Sequence, residues 1–321
     1  MRSSEKDQAF TRRAIGGSER MAAFAHRVEA AQVLDKPAGR VSSAASGVLA
    51  KPAVRDTLSG SWLGHPLHPA LVAVPLGCWT AASLMDLAGE RTAARRLVGA
   101  GLLSVLPTAA SGLSDWIDTN GAEQRVGMVH MISNTAAATV YTASWMARRS
   151  GRHGRGAMLS VLGATIAGLG GWLGGHLSYG LGVGVDTNAF DTGPSEWTDL
   201  DAELPMGGEP VRAVVGSTPV LASRQPEGVR VLGERCSHRG GPLSEGEIEQ
   251  GCVTCPWHGS RFDLATGAVR RGPAVVEQPV YEVREGPDGI AVRRRIGGVC
   301  VPTASRRDHG DAVKDGGTPP D

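Results

Sequence analysis

The chain has 321 residues and a formal net charge of +1. A near-neutral chain with only short arginine clusters lacks the basic stripe of nucleic-acid-binding proteins, so we expect no nucleic-acid partner. Five cysteines at uneven spacing argue against a secreted disulfide framework. With 45 glycines and only 4% aromatic residues, the composition favours helices that pack through small residues in lipid over one large soluble core.

Residues 1–60 are polar and alanine-rich, and they show no sustained periodicity. We predict a partly disordered N-terminal segment over this range, with a short helix around Glu19–Leu34. The first apolar run comes only after residue 60, so no secretory signal is expected at the N-terminus.

Four apolar stretches follow, each about 20 residues long, the length that crosses a hydrocarbon core of about 30 Å. Tryptophans near several of their ends suit a membrane-interface belt. We therefore predict a four-helix transmembrane bundle over residues 61–185, although four buried helices of a soluble bundle would give a similar pattern. In the fourth stretch, the pairs Gly170–Gly174 and Gly171–Gly175 would let helices approach closely. The stretches are about Leu67–Leu87, Leu97–Trp116, Val126–Met146 and Ala157–Tyr179, and the tryptophans are Trp62, Trp116 and Trp145.

Arginines concentrate in two of the connections between these stretches. The positive-inside rule places such loops in the cytoplasm, which puts both termini outside a bacterial cell membrane that the chain spans several times. The long basic N-terminal segment weakens the rule, so the side of the C-terminal domain stays open, with the extracytoplasmic side favoured. Arg148-Arg149 could also form an internal twin-arginine export signal, or simply anchor its loop. The loop arginines are Arg91, Arg95, Arg96, Arg148, Arg149, Arg152 and Arg155.

The C-terminal part has a different pattern. After a linker rich in Gly, Asp and Thr at residues 186–204, short β-rich runs such as "VRVLG" and "IAVRR" alternate with Gly, Pro and Asp. This pattern predicts a small antiparallel β domain over residues 205–296. The tail at 297–321 has the composition of a disordered segment.

Two cysteine–histidine pairs stand inside this β domain. The chain reads Cys236-Ser-His238 and, after sixteen intervening residues, Cys255-Pro-Trp-His258. Each pair is short enough for both side chains to reach one metal site from one loop. Two thiolates and two imidazoles could bind zinc tetrahedrally.

The segments "CSHRGGPL" and "CPWHGSRFD" resemble the two ligand loops of the Rieske iron–sulfur family, and the resemblance covers about residues 195–295. It implies a [2Fe–2S] cluster with Cys236 and Cys255 on one iron and His238 and His258 on the other, tuned by Ser260 and the backbone around Gly259. It also implies one-electron transfer in a membrane-anchored protein that works with a redox partner protein.

The resemblance further predicts a low, ferredoxin-like potential. High-potential members carry a disulfide between the two loops, but its positions are Gly241 and Trp257 here. A tyrosine that donates a hydrogen bond to the cluster is replaced by Phe262, although Ser260 is present. Fewer hydrogen bonds to the cluster stabilise the reduced state less.

Four histidines, His65, His68, His130 and His176, lie near the ends of the apolar stretches. In an up-and-down bundle they share one membrane surface, from which the β domain also leaves. They could bind haem or quinone, handle protons or another metal, or only cap helices and make interhelical hydrogen bonds. "GHPLHPALVAVPLG" and "GMVHMISN" are similar to an uncharacterised bacterial family of four-helix membrane domains, over about residues 60–186; this resemblance brings no chemistry.

No complete catalytic site is visible in the sequence. The alternatives to an electron carrier are a redox-sensing or scaffold membrane protein, or a component of an oxygenase or quinol-oxidising system. Cys252, Cys78 and Cys300 are expected to be structural, with a replacement ligand or redox thiol as the alternative for Cys252.

Overall fold

The computed structural model of the protein describes residues 19–49, 51–191, 193–287 and 289–295. The predicted disordered tail at 297–321, Cys300 and the first 18 residues lie outside the described residues. A helical N-terminal part is followed by an antiparallel β domain, which confirms the predicted fold class.

The helical part contains seven helices in the described residues. Short helices cover most of the described part of the segment that was expected to be partly disordered, because small side chains such as Ala25 and Ala38 bury against the bundle end without a long apolar run. The helices are α1 (19–29), α2 (Asp35–Leu49), α3 (Pro52–Ser59), α4 (Leu67–Leu87), α5 (Arg91–Trp116), α6 (Gly121–Arg149) and α7 (His153–Gly175), and α7 runs into a π-helical turn at His176–Gly180.

The count of four apolar spans was not exact. By length and composition, three helices of the described chain could cross a membrane: Leu67–Leu87, Arg91–Trp116 and His153–Gly180. Helix α6 lies beside them, packed along α7 and α5. It is more polar because its ends are charged and Thr, Ser and Asn recur along it.

Glycines in the long helices accommodate large side chains of neighbouring helices. A Cβ at Gly101 would lie 2.4 Å from the Trp79 indole nitrogen, and one at Gly127 would lie 2.2 Å from Trp116 Cδ1. The predicted pair Gly170–Gly174 works in the same way, as described below. Gly171 has no neighbour within 4 Å, so this residue is not used for close packing.

Arg148 is fully buried at the end of the bundle away from the β domain. Its guanidinium donates to both carboxylate oxygens of Asp86 on α4, at 2.5 and 2.6 Å, and also to Ser144 and Ser160. This buried ion pair ties α6 to α4 and gives Arg148 a structural role. The export signal at Arg148-Arg149 stays a prediction. Of the three tryptophans predicted to form a membrane-interface belt, Trp62 is exposed, as such a belt requires. Trp116 is buried and Trp145 is half-buried.

The β domain consists of two antiparallel sheets. The larger has the order β1-β10-β9-β4-β3-β2, and the smaller has the order β5-β6-β7-β8. The strands are β1 (Thr198–Asp199), β2 (Val211–Val215), β3 (Thr218–Gln225), β4 (Gly228–Gly233), β5 (Glu247–Glu249), β6 (Cys252–Thr254), β7 (Arg261–Asp263), β8 (Val269–Arg271), β9 (Val280–Gly286) and β10 (Gly289–Arg294).

Two apolar cores hold this domain together. One lies on the large sheet around Val220, Val231 and Tyr281. The other joins the two sheets through Leu232, Leu243 and Phe262, and it includes both Cys236 and Cys255. The cysteines are therefore fixed by the core, at the point where the large sheet meets the small one.

We predict that Arg148→Met lowers the free energy of unfolding by about 3–5 kcal/mol, because it leaves the Asp86 carboxylate without its buried partner. The neighbouring Arg149 is exposed and its guanidinium stacks over Trp145, so Arg149→Gln is the matched control and should cost less than about 1 kcal/mol. Reversible unfolding in detergent measures both values, and equal losses would contradict the role given to Arg148.

Candidate metal centre

Two loops bring the predicted ligand residues together. The first connects β4 to a short 3₁₀ turn at Leu243–Glu245 and contains Cys236 and His238; the second connects β6 to β7 and contains Cys255 and His258. The rings of His238 and His258 meet edge to face with centroids 5.1 Å apart. Both cysteines are buried, and each thiol shifts the pKa of the other.

The two loops close in the same way although their Cys–His spacings differ. In each, the amide of the glycine four residues after the cysteine donates to the cysteine carbonyl: Gly240 at 2.8 Å and Gly259 at 3.1 Å. The cysteine amide in turn donates to the carbonyl five residues on, at 2.9 Å in the first loop and 2.8 Å in the second. Both glycines have φ near +75°, a conformation that glycine adopts without strain.

Backbone amides point at both sulfur atoms. Those of His238 and Arg239 hydrogen-bond to the Cys236 sulfur, and those of Trp257 and His258 to the Cys255 sulfur. The hydrogen bond from Cys236 and these amides lower the pKa of Cys255 to about 7, against the effect of burial. The same thiol pair, together with burial, raises the pKa of Cys236. The site therefore stabilises negative charge on sulfur, as a thiolate ligand requires.

Both imidazoles are held neutral. Burial, with added repulsion from His258 and from the guanidinium groups of Arg55 and Arg239, lowers the pKa of His238 to about 3. Burial also lowers the pKa of His258, although the Asp118 carboxylate opposes the shift. A neutral imidazole keeps a ring nitrogen lone pair free for a metal.

Ser260 is fully buried beside the second loop, where its hydroxyl oxygen accepts a hydrogen bond of 3.0 Å from the Ala274 amide. Phe262 is buried in the core behind this loop and offers no hydrogen-bond donor. A Cβ at Gly241 would lie 2.8 Å from the Cys255 sulfur and 3.1 Å from the Trp257 ring, so positions 241 and 257 face each other across the two loops.

The helical part of the chain covers the His238 side of the site. Asp118, just after α5, is buried; its carboxylate lies 3.6 Å from His238 Nε2 and pairs with Arg55 of α3. Arg239 pairs with Glu123 at the start of α6. These contacts confirm the prediction that the β domain lies at the bundle end where α5 stops and α6 begins.

The linker also contacts the first loop, which the sequence did not predict. The Thr187 hydroxyl donates to the Cys236 carbonyl at 2.9 Å, and the Asn188 amide donates to the Arg235 carbonyl at 2.8 Å. Asn188 is 4% exposed. Thr and Asn are common in linkers, so the sequence alone does not mark these two residues. Their contacts with the first loop become visible only in the folded structure.

The four membrane histidines do not form one cluster. His68 and His130 face each other across the bundle with centroids 6.4 Å apart, and each places Nδ1 against a backbone carbonyl, that of Thr108 at 2.9 Å and that of Gly170 at 2.8 Å. A Cβ at Gly174 would lie 3.1 Å from the His130 ring, and one at Gly170 would lie 2.4 Å from the Asn134 side chain.

His65 and His176 lie elsewhere. His65 is exposed, and His176 contacts Glu29 of α1 at 2.7 Å. His68, His130 and His176 each contact a backbone carbonyl or a carboxylate of another helix, as interhelical hydrogen bonding requires, whereas His65 contacts only the carbonyl of the next residue, Pro66. Haem, quinone or proton chemistry in the bundle stays a prediction.

The cysteine–histidine site fits a two-iron group. His238 Nδ1 is buried and has no hydrogen-bond partner among the described residues, as expected of a ligand atom. Two thiols and two imidazoles provide the two pairs of ligands, one of sulfur and one of nitrogen, that a cluster of two irons needs.

Comparison with known families decides the assignment. Residues 197–282 match the family described as Rieske [2Fe-2S] domain, and residues 64–187 match the family described as predicted membrane protein (DUF2231). The chain is 37% identical over 91 residues to the anthranilate 1,2-dioxygenase ferredoxin subunit of Burkholderia cepacia, covering 28% of this chain and 84% of that protein.

The chain belongs to the Rieske family. Its Rieske domain follows a DUF2231 domain, as the two resemblances in the sequence indicated. The cofactor of this family is a [2Fe–2S] cluster.

Two further relatives show how much of each protein the Rieske similarity covers. The chain is 29% identical over 103 residues to ferredoxin CarAc of Metapseudomonas resinovorans, covering 31% of this chain and 96% of that protein. It is 34% identical over 62 residues to mouse apoptosis-inducing factor 3, covering 19% of this chain but only 10% of that protein. The similarity thus covers 84% and 96% of the two ferredoxins but only 10% of the mouse protein.

We predict that Gly241→Ala lowers the iron and acid-labile sulfide content of the purified protein severalfold, because its methyl group would lie against the Cys255 sulfur. Gly286, at the end of β9, has open space around its Cβ position, so Gly286→Ala is the control and should load the cluster normally. Normal iron and sulfide content in Gly241→Ala would show that the two loops are not packed as described.

Proposed function

We propose that the protein is a membrane-anchored one-electron carrier in which Cys236, Cys255, His238 and His258 hold the [2Fe–2S] cluster. The observation that carries this proposal is the convergence of the two loops, with paired buried sulfurs and a buried, unpartnered His238 Nδ1. The bound cluster supplies reversible one-electron oxidation and reduction. The amides of residues 238, 239, 257 and 258 stabilise charge on the sulfurs.

The two histidine edges would serve different electron partners. His238 faces Asp118 of the membrane domain and its side chain is only 15% exposed. His258 lies beside Trp257, which is 58% exposed at the surface of the described chain. An electron would therefore pass between the membrane-domain side and a redox partner protein that contacts the Trp257 edge.

The relatives suggest the chemistry of that partner. The matched proteins of B. cepacia and M. resinovorans are named as ferredoxins, the first as a subunit of a dioxygenase. A protein that accepts or donates single electrons, such as an oxygenase or a reductase, is the partner we propose. The low-potential assignment rests on Gly241 and Trp257, which leave no disulfide between the two loops, and on Phe262, which offers no hydrogen-bond donor.

The orientation that we propose combines the same geometry with the positive-inside rule. The arginine-rich connections, α4–α5 and α6–α7, lie at the bundle end opposite the Rieske domain. With those connections in the cytoplasm, the Rieske domain would lie on the extracytoplasmic side. The three apolar helices and the DUF2231 match support the membrane location itself.

Substitution of one cysteine tests the ligand assignment. We expect Cys255→Ser to abolish the visible spectrum and the electron paramagnetic resonance (EPR) signal of the reduced cluster. Cys252 lies three residues earlier, at the start of β6, and its side chain points to the outer face of the small sheet, so Cys252→Ser is the matched control and should keep both. A cluster retained in Cys255→Ser, or lost from Cys252→Ser alone, would refute the assignment.

Redox titration tests the potential. We predict a midpoint near the lower end of the range of about −150 to +300 mV that Rieske centres span. Ser260→Ala should lower it further, since it removes a hydroxyl able to donate to the cluster, whereas Ser223→Ala, in a buried position on the large sheet, should leave it unchanged. A midpoint above about +100 mV would contradict the low-potential assignment.

A further inference from the structure

A cavity of about 370 Å³ lies where the Rieske domain meets the membrane domain. It opens on the outer face of the small sheet, away from the cluster ligands. Asp56 of α3 forms one wall, and the Rieske domain supplies the rest, including three arginines. The lining residues are Asp56, Gln250, Cys252, Arg261, Arg270 and Arg271.

Two of these arginines, Arg261 and Arg271, lie close together although their positive charges repel each other. Arg261 and Arg271 are direct cross-strand partners on β7 and β8, and like charges in that position destabilise a sheet. Among the described residues, neither has a carboxylate within ion-pair distance, whereas Arg270 pairs with Asp263 at 2.7 Å. Such an arrangement is stable when an anion lies between the guanidinium groups.

One donor in this cavity lacks an acceptor. The Arg261 Nε atom is buried and has no hydrogen-bond partner in the described chain, although another nitrogen of the same guanidinium donates to the Glu249 carbonyl at 2.7 Å. A buried unmade hydrogen bond costs about 1–3 kcal/mol, and more for a charged group. This unpaired donor belongs to one of the three arginines that line the cavity.

The cavity lies close to the start of the first apolar helix. The Gly272 amide, directly after Arg271, donates to the Asp56 carboxylate at 2.8 Å, and a Cβ at Gly272 would lie 3.2 Å from Ser61. Trp62 and Leu63 follow and are 66% and 48% exposed, just before the first apolar helix begins at Leu67. Exposed Trp and Leu beside the start of a span are typical of the headgroup region of a bilayer.

We propose that this cavity binds the phosphate group of an anionic ligand between Arg261 and Arg271. Guanidinium groups bind phosphate oxygens through paired, charge-assisted hydrogen bonds, which would satisfy Arg261 Nε and relieve the cross-strand repulsion. The same chemistry is offered by the headgroup of an anionic phospholipid and by a soluble phosphate.

The site has a direct connection to the cluster. Arg271 Nε donates to the Gly259 carbonyl at 3.0 Å, and Gly259 follows His258 in the second ligand loop. A ligand that draws the Arg271 guanidinium towards Arg261 would change this hydrogen bond. Phosphate binding is therefore expected to shift the visible circular dichroism of the cluster.

Two arms distinguish the source of the phosphate. The full-length holoprotein in detergent is titrated with inorganic phosphate by calorimetry. The same protein is reconstituted in nanodiscs of phosphatidylglycerol and phosphatidylcholine, and the lipid retained on release is identified by native mass spectrometry. Binding in either arm supports the proposal, and the arm that binds identifies the source; no binding in both arms overturns it.

Substitutions locate the binding. Arg261→Gln/Arg271→Gln should weaken binding about tenfold or more, which corresponds to about 1.4 kcal/mol. Arg212→Gln, an exposed arginine on β2 of the other sheet, is the control and should bind normally. If the double variant loses its cluster, Arg261→Gln alone, which keeps the bond from Arg271 to the ligand loop, replaces it. Unchanged affinity in the Arg261→Gln variant would place the phosphate elsewhere and refute the proposal.

Discussion

The contact between Asp118 and His238 determines how the two halves of the molecule can work together. A carboxylate that is buried between domains requires partners, and Asp118 has the guanidinium of Arg55 on one side and the imidazole of His238 on the other. The pair of Arg239 with Glu123 fixes the adjacent residue of the same loop. The membrane domain thus supplies one wall of the proposed cluster site.

This wall sets the protein apart from a free ferredoxin. In a small free carrier, the histidine edge of the cluster is open to any partner protein. Here the His238 edge is covered by the chain's own helices, and the Trp257 edge faces outward. The fusion would keep one electron partner, or a path towards one, permanently in place. It would also restrict exchange with proteins in solution to one side of the cluster.

The helical bundle accommodates its polar side chains in two different ways. At the end away from the Rieske domain, Arg148 is neutralised by Asp86 and locks α6 to α4. At the near end, glycines of α7 leave room for His130 and Asn134. The first arrangement stabilises the fold through a buried ion pair; the second places neutral hydrogen-bonding groups beneath the domain that holds the cluster.

Features set by short sequence separations could be predicted, and those set by long ones could not. The ligand loops stand out because Cys236 and His238, and Cys255 and His258, are two and three residues apart. Arg55 and Asp118 are 63 residues apart, and Arg239 and Glu123 are 116 apart, so nothing local marks either pair. Helix α6 was predicted as an apolar span because its alanines, valines and methionines mask its polar positions. The short helix predicted around Glu19–Leu34 corresponds to α1, whereas α2 and α3 were missed because small residues, and no long apolar run, bury them.

Spin relaxation tests most directly whether the membrane domain covers the cluster. A nitroxide amino acid is placed at Asn120, an exposed residue between Asp118 and α6, in the reconstituted full-length protein. We predict that reduction of the cluster strongly accelerates relaxation of this nitroxide, and not of one at the exposed Ser150 at the opposite end of the bundle. Arg239→Glu should weaken the effect, and Glu123→Arg/Arg239→Glu should restore it. Equal relaxation at both labels, before and after reduction, would show that the cluster does not lie on the membrane domain.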